Sequence, residues 1–176
     1  FLEKKSNLIK ERIVPGDFLD YENNRYRFLW ILNAPNEEVL NLRNSKKVLI
    51  NMLSKTKISI EDHEYFLDNY ISLLRIDFLI KSINCDSFLG GVNIVYKNNL
   101  WQIGKYIGNE KFLRRGIAKK MTIRLIEYFK QFFPEIKEIF SITKSCNKVN
   151  IALNQKIGFF IFSKLENEFI LMKKEL

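Results

Sequence analysis

The feature that most constrains this fold is a strand-like run, Trp101 to Ile107, followed by a turn, Phe112-Leu-Arg-Arg-Gly-Ile-Ala-Lys-Lys-Met121. That turn opens a helical run from Gly116 to Phe133. The first amides of a helix have no intrahelical partner, and the macrodipole puts partial positive charge there. Gly116 and Ala118 keep the turn bare, so that a phosphate can approach the backbone closely. Arg114, Arg115, Lys119 and Lys120 add full charge at the same end. Cations at a helix N-terminus are disfavoured by a few tenths to about 1 kcal/mol. A bound polyanion reverses that sign. The competing reading of the segment is a solvated basic helix start.

A chain of 176 residues with 47% hydrophobic content is expected to form one domain with a substantial core. Fifteen Phe and seven Tyr argue against disorder. No apolar run approaches the roughly 20 residues that span a bilayer, and no signal peptide is visible, so neither membrane association nor export is expected. Cys85 and Cys146 have no metal-ligand or framework spacing. They are expected to be free thiols in a reducing cytoplasm, with Cys146 a buried structural one and no metal bound. The net charge of +9 favours anionic partners: nucleic acid, anionic lipid or phosphorylated small molecules. The aromatics follow core periodicity and no RNA-binding signature is present, which disfavours nucleic acid.

Taken in order, residues 1–25 read as a lead-in from a longer chain that opens on Phe1, with a charged helix from Glu3 to Arg12 ended by Pro15-Gly16. The domain is expected over residues 26–176, its first strand being Arg27 to Leu32. Helices are expected at Glu37–Arg43, Lys46–Leu53 and Ile60–Tyr70, the last with Ser59 as N-cap. Strands follow at Arg75–Ser82 and Phe88–Tyr96, and Lys97-Asn98-Asn99 turns back into the run ending at Ile107. Gly90-Gly91 suggests a bulge or a close backbone approach. After the long helix come strands at Ile136–Thr143, Phe160–Lys164 and Glu168–Lys173.

Three stretches together carry a family resemblance. Leu113-Arg-Arg-Gly-Ile-Ala118 resembles the pyrophosphate loop of the GNAT acetyltransferases, Q/R-x-x-G-x-G/A, with Leu113 departing from it. Arg43-Asn44, Met52 and Ile58-Ser-Ile-Glu-Asp-His63 resemble the N-terminal region of GNAT enzymes that act on ribosomal proteins and nucleotide-linked amino sugars. Asn147 to Phe159 resembles the element N-x-x-A-x-x-L-Y-x-K-x-G-F, with Asn150 and Asn154 replacing its Ala and Tyr.

The resemblance implies an α/β GNAT fold, a mixed, mostly antiparallel sheet flanked by helices, with acetyl-CoA as co-substrate. It places the pyrophosphate on Arg114, Arg115, Gly116, Ile117, Ala118 and Lys119. The pantetheine arm would pair with the strand at Tyr106 and Ile107, near Asn147, Asn150, Asn154 and Lys156. Arg43, Asn44, Met52 and Gln102 would face the acceptor. Relatives often carry a general-base Glu where Gln102 stands, and a Tyr that protonates the leaving thiolate where Asn154 stands. Neither replacement can do that work. His63, the single histidine, has an unperturbed pKa of about 6.5 and is the candidate base. The competing role for it is packing.

The resemblance runs closest to enzymes of the pseudaminic acid pathway. These acetylate the 4-amino group of UDP-4-amino-4,6-dideoxy-N-acetyl-beta-L-altrosamine, a UDP-linked deoxy amino sugar. The alternatives are a protein N-terminal amine as acceptor, and a degenerate domain that binds CoA without catalysis. An upstream fused domain, a homodimer and a cytoplasmic location complete the expectations.

Overall fold

A computed structural model describes residues 1–52 and 54–176. The elements are helix α1 (Leu2–Lys10), strands β1 (Phe18–Leu19) and β2 (Arg25–Trp30), helices α2 (Asn36–Arg43), α3 (Lys46–Leu49) and α4 (Ile60–Asp68), then strands β3 (Arg75–Ser82), β4 (Phe88–Lys97) and β5 (Leu100–Ile107). Helix α5 (Ile117–Phe132), strand β6 (Glu138–Lys144), helix α6 (Lys148–Lys156) and strands β7 (Phe160–Lys164) and β8 (Phe169–Glu175) complete the chain.

All eight strands form one sheet in the order β1-β2-β3-β4-β5-β6-β8-β7. This is the mixed, mostly antiparallel sheet with flanking helices that the family resemblance implies. The β4–β5 hairpin closes on Asn98 and Asn99, both at positive φ, as a two-residue turn matched to strand twist requires. Gly90 lies where any Cβ would collide with the carbonyl of Tyr106, and the β3–β4 register slips at Ile80/Lys81 opposite it. The expected close approach and bulge are both present.

The two faces of the sheet follow from strand alternation. On one, Trp101 packs against Phe129 of α5, with Met121, Leu125 and Phe129 fully buried at helical spacing. On the other, Tyr106 lies against Gly91 of β4 and beneath the Arg43 guanidinium at the end of α2. Strands β6 and β7 are both antiparallel to β8 and so parallel to each other. Both right-handed crossovers, through α5 and through α6, therefore lie on the Trp101 face.

The join between β5 and β6 is parallel and consists of one register pair, Gln102 with Phe140. Neighbouring strands are paired along their length: β4–β5 through eight registers and β6–β8 through seven. Beyond Gln102, therefore, Ile103–Ile107 and the end of β6 turn unpaired backbone towards each other. The sheet is open at its centre.

Residues 1–25, expected to be a lead-in, contribute buried side chains to this sheet: Leu8 and Phe18 belong to the core, and Phe1 stacks on Phe133. Lys5 is fully buried and donates from Nζ to the carbonyls of Tyr70 (2.5 Å) and Leu73 (2.9 Å). The helix expected over Lys46–Leu53 ends at Leu49, and its last expected residue lies outside the described ones. The helix expected to reach Tyr70 stops at Asp68 and tightens into a 3-10 turn. Ser59 caps it as expected, accepting from the amide of Asp62 at 3.0 Å. Cys146, expected to be buried, is exposed in the turn before α6.

In Lys5→Met the carbonyls of Tyr70 and Leu73 keep their backbone donors, the amides of Leu73 and Arg75, but lose the bonds from the ammonium, and a hydrogen bond to a charged group is worth about 1.5–3 kcal/mol. Urea unfolding should show a loss of that size; an unchanged midpoint would mean that α1 docks through packing alone.

Candidate active site

The turn before α5 is built for an anion. Gly116 is its N-cap at φ +77 and offers no side chain to the helix amides. Ile117, Ala118 and Lys119 occupy the first turn, whose amides have no intrahelical acceptor. Arg114 is exposed and also left-handed, at φ +62, a conformation rare outside glycine. The side chain of Arg115 turns elsewhere: it pairs with Glu22 at 3.1 Å and approaches Asp20 at 4.0 Å. Its carbonyl accepts from the amide of Tyr21 at 3.2 Å. The Tyr21 ring occupies the position a Cβ on Gly116 would need, and Lys120 Nζ lies 5.9 Å from its centre. The N-terminal segment thus braces the loop from outside.

The opening between β5 and β6 holds the most unusual group in the molecule. Lys105, on β5, reaches from the Trp101 face to Asn154 of α6, donating from Nζ to Oδ1 at 2.6 Å. Burial pushes its ammonium down to about 7. Asn154 is completely buried and held from behind, donating to Ser141 Oγ of β6 at 3.0 Å and lying 3.6 Å from Met172 Sδ of β8. Gln102 is buried at the start of the opening, and its amide donates to the carbonyl of Lys97 at 2.8 Å. Tyr106 and Ile107 are half-buried along the same strand.

At the far end of α6, Asn147 caps the helix by accepting from the amide of Asn150 at 3.1 Å, and Asn150 bonds in turn to Thr143 of β6. These two asparagines anchor α6 to the strand. Lys156 ends the helix in solvent.

The opposite face gathers cations and aromatic rings. Burial pushes the Arg43 guanidinium downwards, the nearby Tyr106 opposes this, and Arg75 adds to it. Arg75 forks to Asp77 at 2.7 and 2.5 Å and lies 4.7 Å above the Phe66 ring. Asn93 also donates to Asp77, at 3.1 Å. Three buried polar atoms here have no partner among the described residues: Arg43 Nη1, Ser45 Oγ and His63 Nε2. His63 stacks on Phe66, and burial lowers its pKa, with Glu64 partly opposing the shift. Asn44 pins the chain instead, donating to the carbonyl of Ile58 at 2.8 Å and accepting from its amide at 2.9 Å. Met52 is half-buried after α3. A cavity of about 340 Å³ beside this turn is lined by Asn44, Lys46, Leu49, Ile50, Lys55 and Lys57.

The residues picked from sequence therefore fall into two groups on either side of an open sheet: an amide-rich turn with its strand, and a cationic, aromatic face around Arg43 and His63. The overlooked members are Lys105, Tyr21 and Arg75. Lys105 had a visible signal, a lone cation at an inward position between Ile103 and Ile107.

A model of the acetyltransferase (GNAT) family matches residues 49–159. No curated protein matches the chain by sequence. Among solved structures, spermidine N-acetyltransferase from Vibrio cholerae, in complex with CoA and spermine, superposes with a TM-score of 0.74 at 13% identity, over 85% of this chain and 95% of that one. Ribosomal-protein-S5-alanine acetyltransferase from Vibrio fischeri gives 0.66 at 12%, over 91% and 96%. The N-acetyltransferase PseH of Campylobacter jejuni gives 0.62 at 17%, over 85% and 97%. At these identities the likeness is one of fold.

Gly116→Ala must both strain a left-handed residue, by about 1–3 kcal/mol, and displace Tyr21. A fall in melting temperature is expected, with Tyr21→Ala in the same chain recovering only the steric part. Full recovery would mean that the backbone there is unstrained.

Proposed function

The chain belongs to the GNAT acetyltransferase family and is an acetyl-CoA-dependent N-acetyltransferase; from that premise we propose that its acceptor is the 4-amino group of a UDP-linked deoxy amino sugar. The observation that carries this reading is Arg43, a buried guanidinium whose Nη1 has no partner among the described residues. A buried cation with an unused donor suits an anionic ligand, since a phosphate or carboxylate would supply the missing acceptor. Lys46, Lys55 and Lys57 line the adjacent cavity with the same sign. Asp77, the buried carboxylate on this face, is already engaged by Arg75 and Asn93, which leaves little to attract a polyamine.

The pyrophosphate of acetyl-CoA fits the amides of Ile117 to Lys119 after Gly116, with the exposed Arg114 able to add charge. The unpaired edge of β5 at Ile103–Ile107 fits the amide-bearing pantetheine arm, which can bond to it as an added strand. Acetyl-CoA supplies an activated thioester, and the chain must bring a neutral amine to its carbonyl carbon. Positioning of that kind is worth up to roughly 7–11 kcal/mol. His63 is the proposed base. Its unpartnered Nε2 is free to accept a proton, and its lowered pKa keeps the imidazole neutral near pH 7.

The sign of the pH dependence follows. A base must be deprotonated, so kcat/KM should rise with pH through a value below 6.5. His63→Ala should remove that limb and cost at least about tenfold, or 1.4 kcal/mol. An unaltered limb in the mutant would make His63 a packing residue and assign the titration to the substrate amine.

Thiol release from acetyl-CoA against a panel of UDP-4-amino sugars, polyamines and peptides tests the acceptor. Turnover is expected with the sugars, and turnover on peptides alone would establish the N-terminal-amine alternative. Arg43→Ala should raise the acceptor KM tenfold or more, about 1.4 kcal/mol, and leave that for acetyl-CoA nearly unchanged. Equal effects on both would make Arg43 structural.

A further inference from the structure

The opening beyond Gln102 contains a charged group that the reaction outlined above does not use. Lys105 stands three residues past the last β5–β6 pair, on a strand face otherwise committed to Trp101, Ile103 and the α5 core. A lysine turned inward at such a position is costly unless its charge has a task. Among the described residues it forms no ion pair; its amine is held at 2.6 Å by a neutral acceptor, Asn154 Oδ1. That acceptor is itself immobile, since Asn154 is completely buried and its amide donates to Ser141. The acceptor that meets Lys105 is thus Asn154 from α6, itself backed by Ser141 from β6 and Met172 from β8, all three uncharged. Burial alone shifts its pKa, with no carboxylate or cation contributing.

Acyl transfer to an amine leaves two protons to manage. One comes off the attacking nitrogen, and one must reach the sulfur that departs. Asn154, the residue in contact with the lysine, is a carboxamide and has no acidic proton. The ammonium directly in front of it does.

We propose that Lys105 is the general acid of the reaction, positioned by Asn154 to protonate the sulfur of CoA as the thioester breaks. The nitrogen lone pair adds to the carbonyl carbon, the C–S bond breaks, and its electron pair passes to sulfur. Lys105 Nζ gives one proton to that sulfur and becomes a neutral amine. The proton that leaves the attacking nitrogen passes to the His63 base and from there to water, and Nζ takes one proton back from water, so that the ammonium is restored and the count closes. No further reactant is needed. The step rests on acetyl transfer alone and holds whichever amine is the acceptor.

Lys105→Met and Lys105→Arg test it with hydroxylamine as a generic acceptor, so that the outcome does not depend on the sugar. An acid must be protonated, so wild-type kcat should fall as the pH rises through an alkaline limb at or above about 7. In Lys105→Met, kcat should drop about 10²-fold and the limb should vanish, with acetyl-CoA affinity by calorimetry changed less than about threefold. Lys105→Arg should not rescue turnover, because a guanidinium holds its proton throughout this range. An independent readout needs no turnover. In protein labelled at lysine Cε, the NMR resonance lost in Lys105→Met should titrate near 7. Its midpoint should move when CoA is added and stay put with desulfo-CoA, since only the former places an ionisable sulfur beside it. Equal shifts with both ligands, or full kcat in Lys105→Met, would overturn the assignment. A loss of CoA affinity matching the loss of rate would make Lys105 a binding residue.

Discussion

One backbone pair, Gln102 with Phe140, holds the two halves of this sheet together at their seam. Strands β1 to β5 form a continuous antiparallel ladder on one side, and β6, β8 and β7 form another. Were the seam paired throughout, the centre of the sheet would be ordinary core with no room for a ligand. With one pair, the end of β5 is an edge strand in the middle of a domain, and unpaired edge backbone is ready to bond an extended partner. The other components follow from that opening. The amide-rich turn at Gly116 lies just beyond the open end of β5, Lys105 and Asn154 bridge the gap on one face, and the Arg43 cluster stands on the other.

Such an arrangement costs stability, and the structure shows where. Lys5, Arg43, Arg75 and Lys105 are cations wholly or partly removed from water, and desolvation opposes the charged form of each. Two have clear structural compensation: Lys5 caps the carbonyls of Tyr70 and Leu73, and Arg75 forks to Asp77. Among the described residues Arg43 has an unused donor and Lys105 only a neutral acceptor. Incomplete compensation is expected of groups reserved for a ligand or a reaction, because full pairing would leave them nothing to bind with. The aromatic core carries the deficit: Trp30, Phe28, Phe78 and Phe129 are almost fully buried, each worth about 1.5–3 kcal/mol or more over exposure.

Much of this was legible in the residues because it is local. The strands read at Arg75–Ser82 and Phe160–Lys164 match β3 and β7 at both ends, and the Asn98-Asn99 turn and the Gly116 loop each need their own residue types. What escaped is long-range. The residues of α1 look solvated because four of its nine side chains are charged, yet Lys5 is buried through carbonyls 65 and 68 residues away. Arg115 looks like a phosphate ligand until Asp20 and Glu22 are brought beside it. Asn44 looks like an acceptor contact until Ile58 returns to meet it. The exposed Cys146 follows from its place in a surface turn, which hydrophobicity alone does not reveal. Lys105 could have been noticed as a misplaced charge, but its partner Asn154 is 49 positions away.

The central claim is that the open seam receives the thioester arm. Amide hydrogen exchange measured with and without CoA tests it most directly. Binding should slow exchange in the segment Ile103–Ile107 and in the turn from Arg114 to Lys119 together, as the free edge and the helix amides gain acceptors. Slowing confined to the turn, with β5 exchanging as before, would contradict the account and leave the opening in the sheet without a ligand.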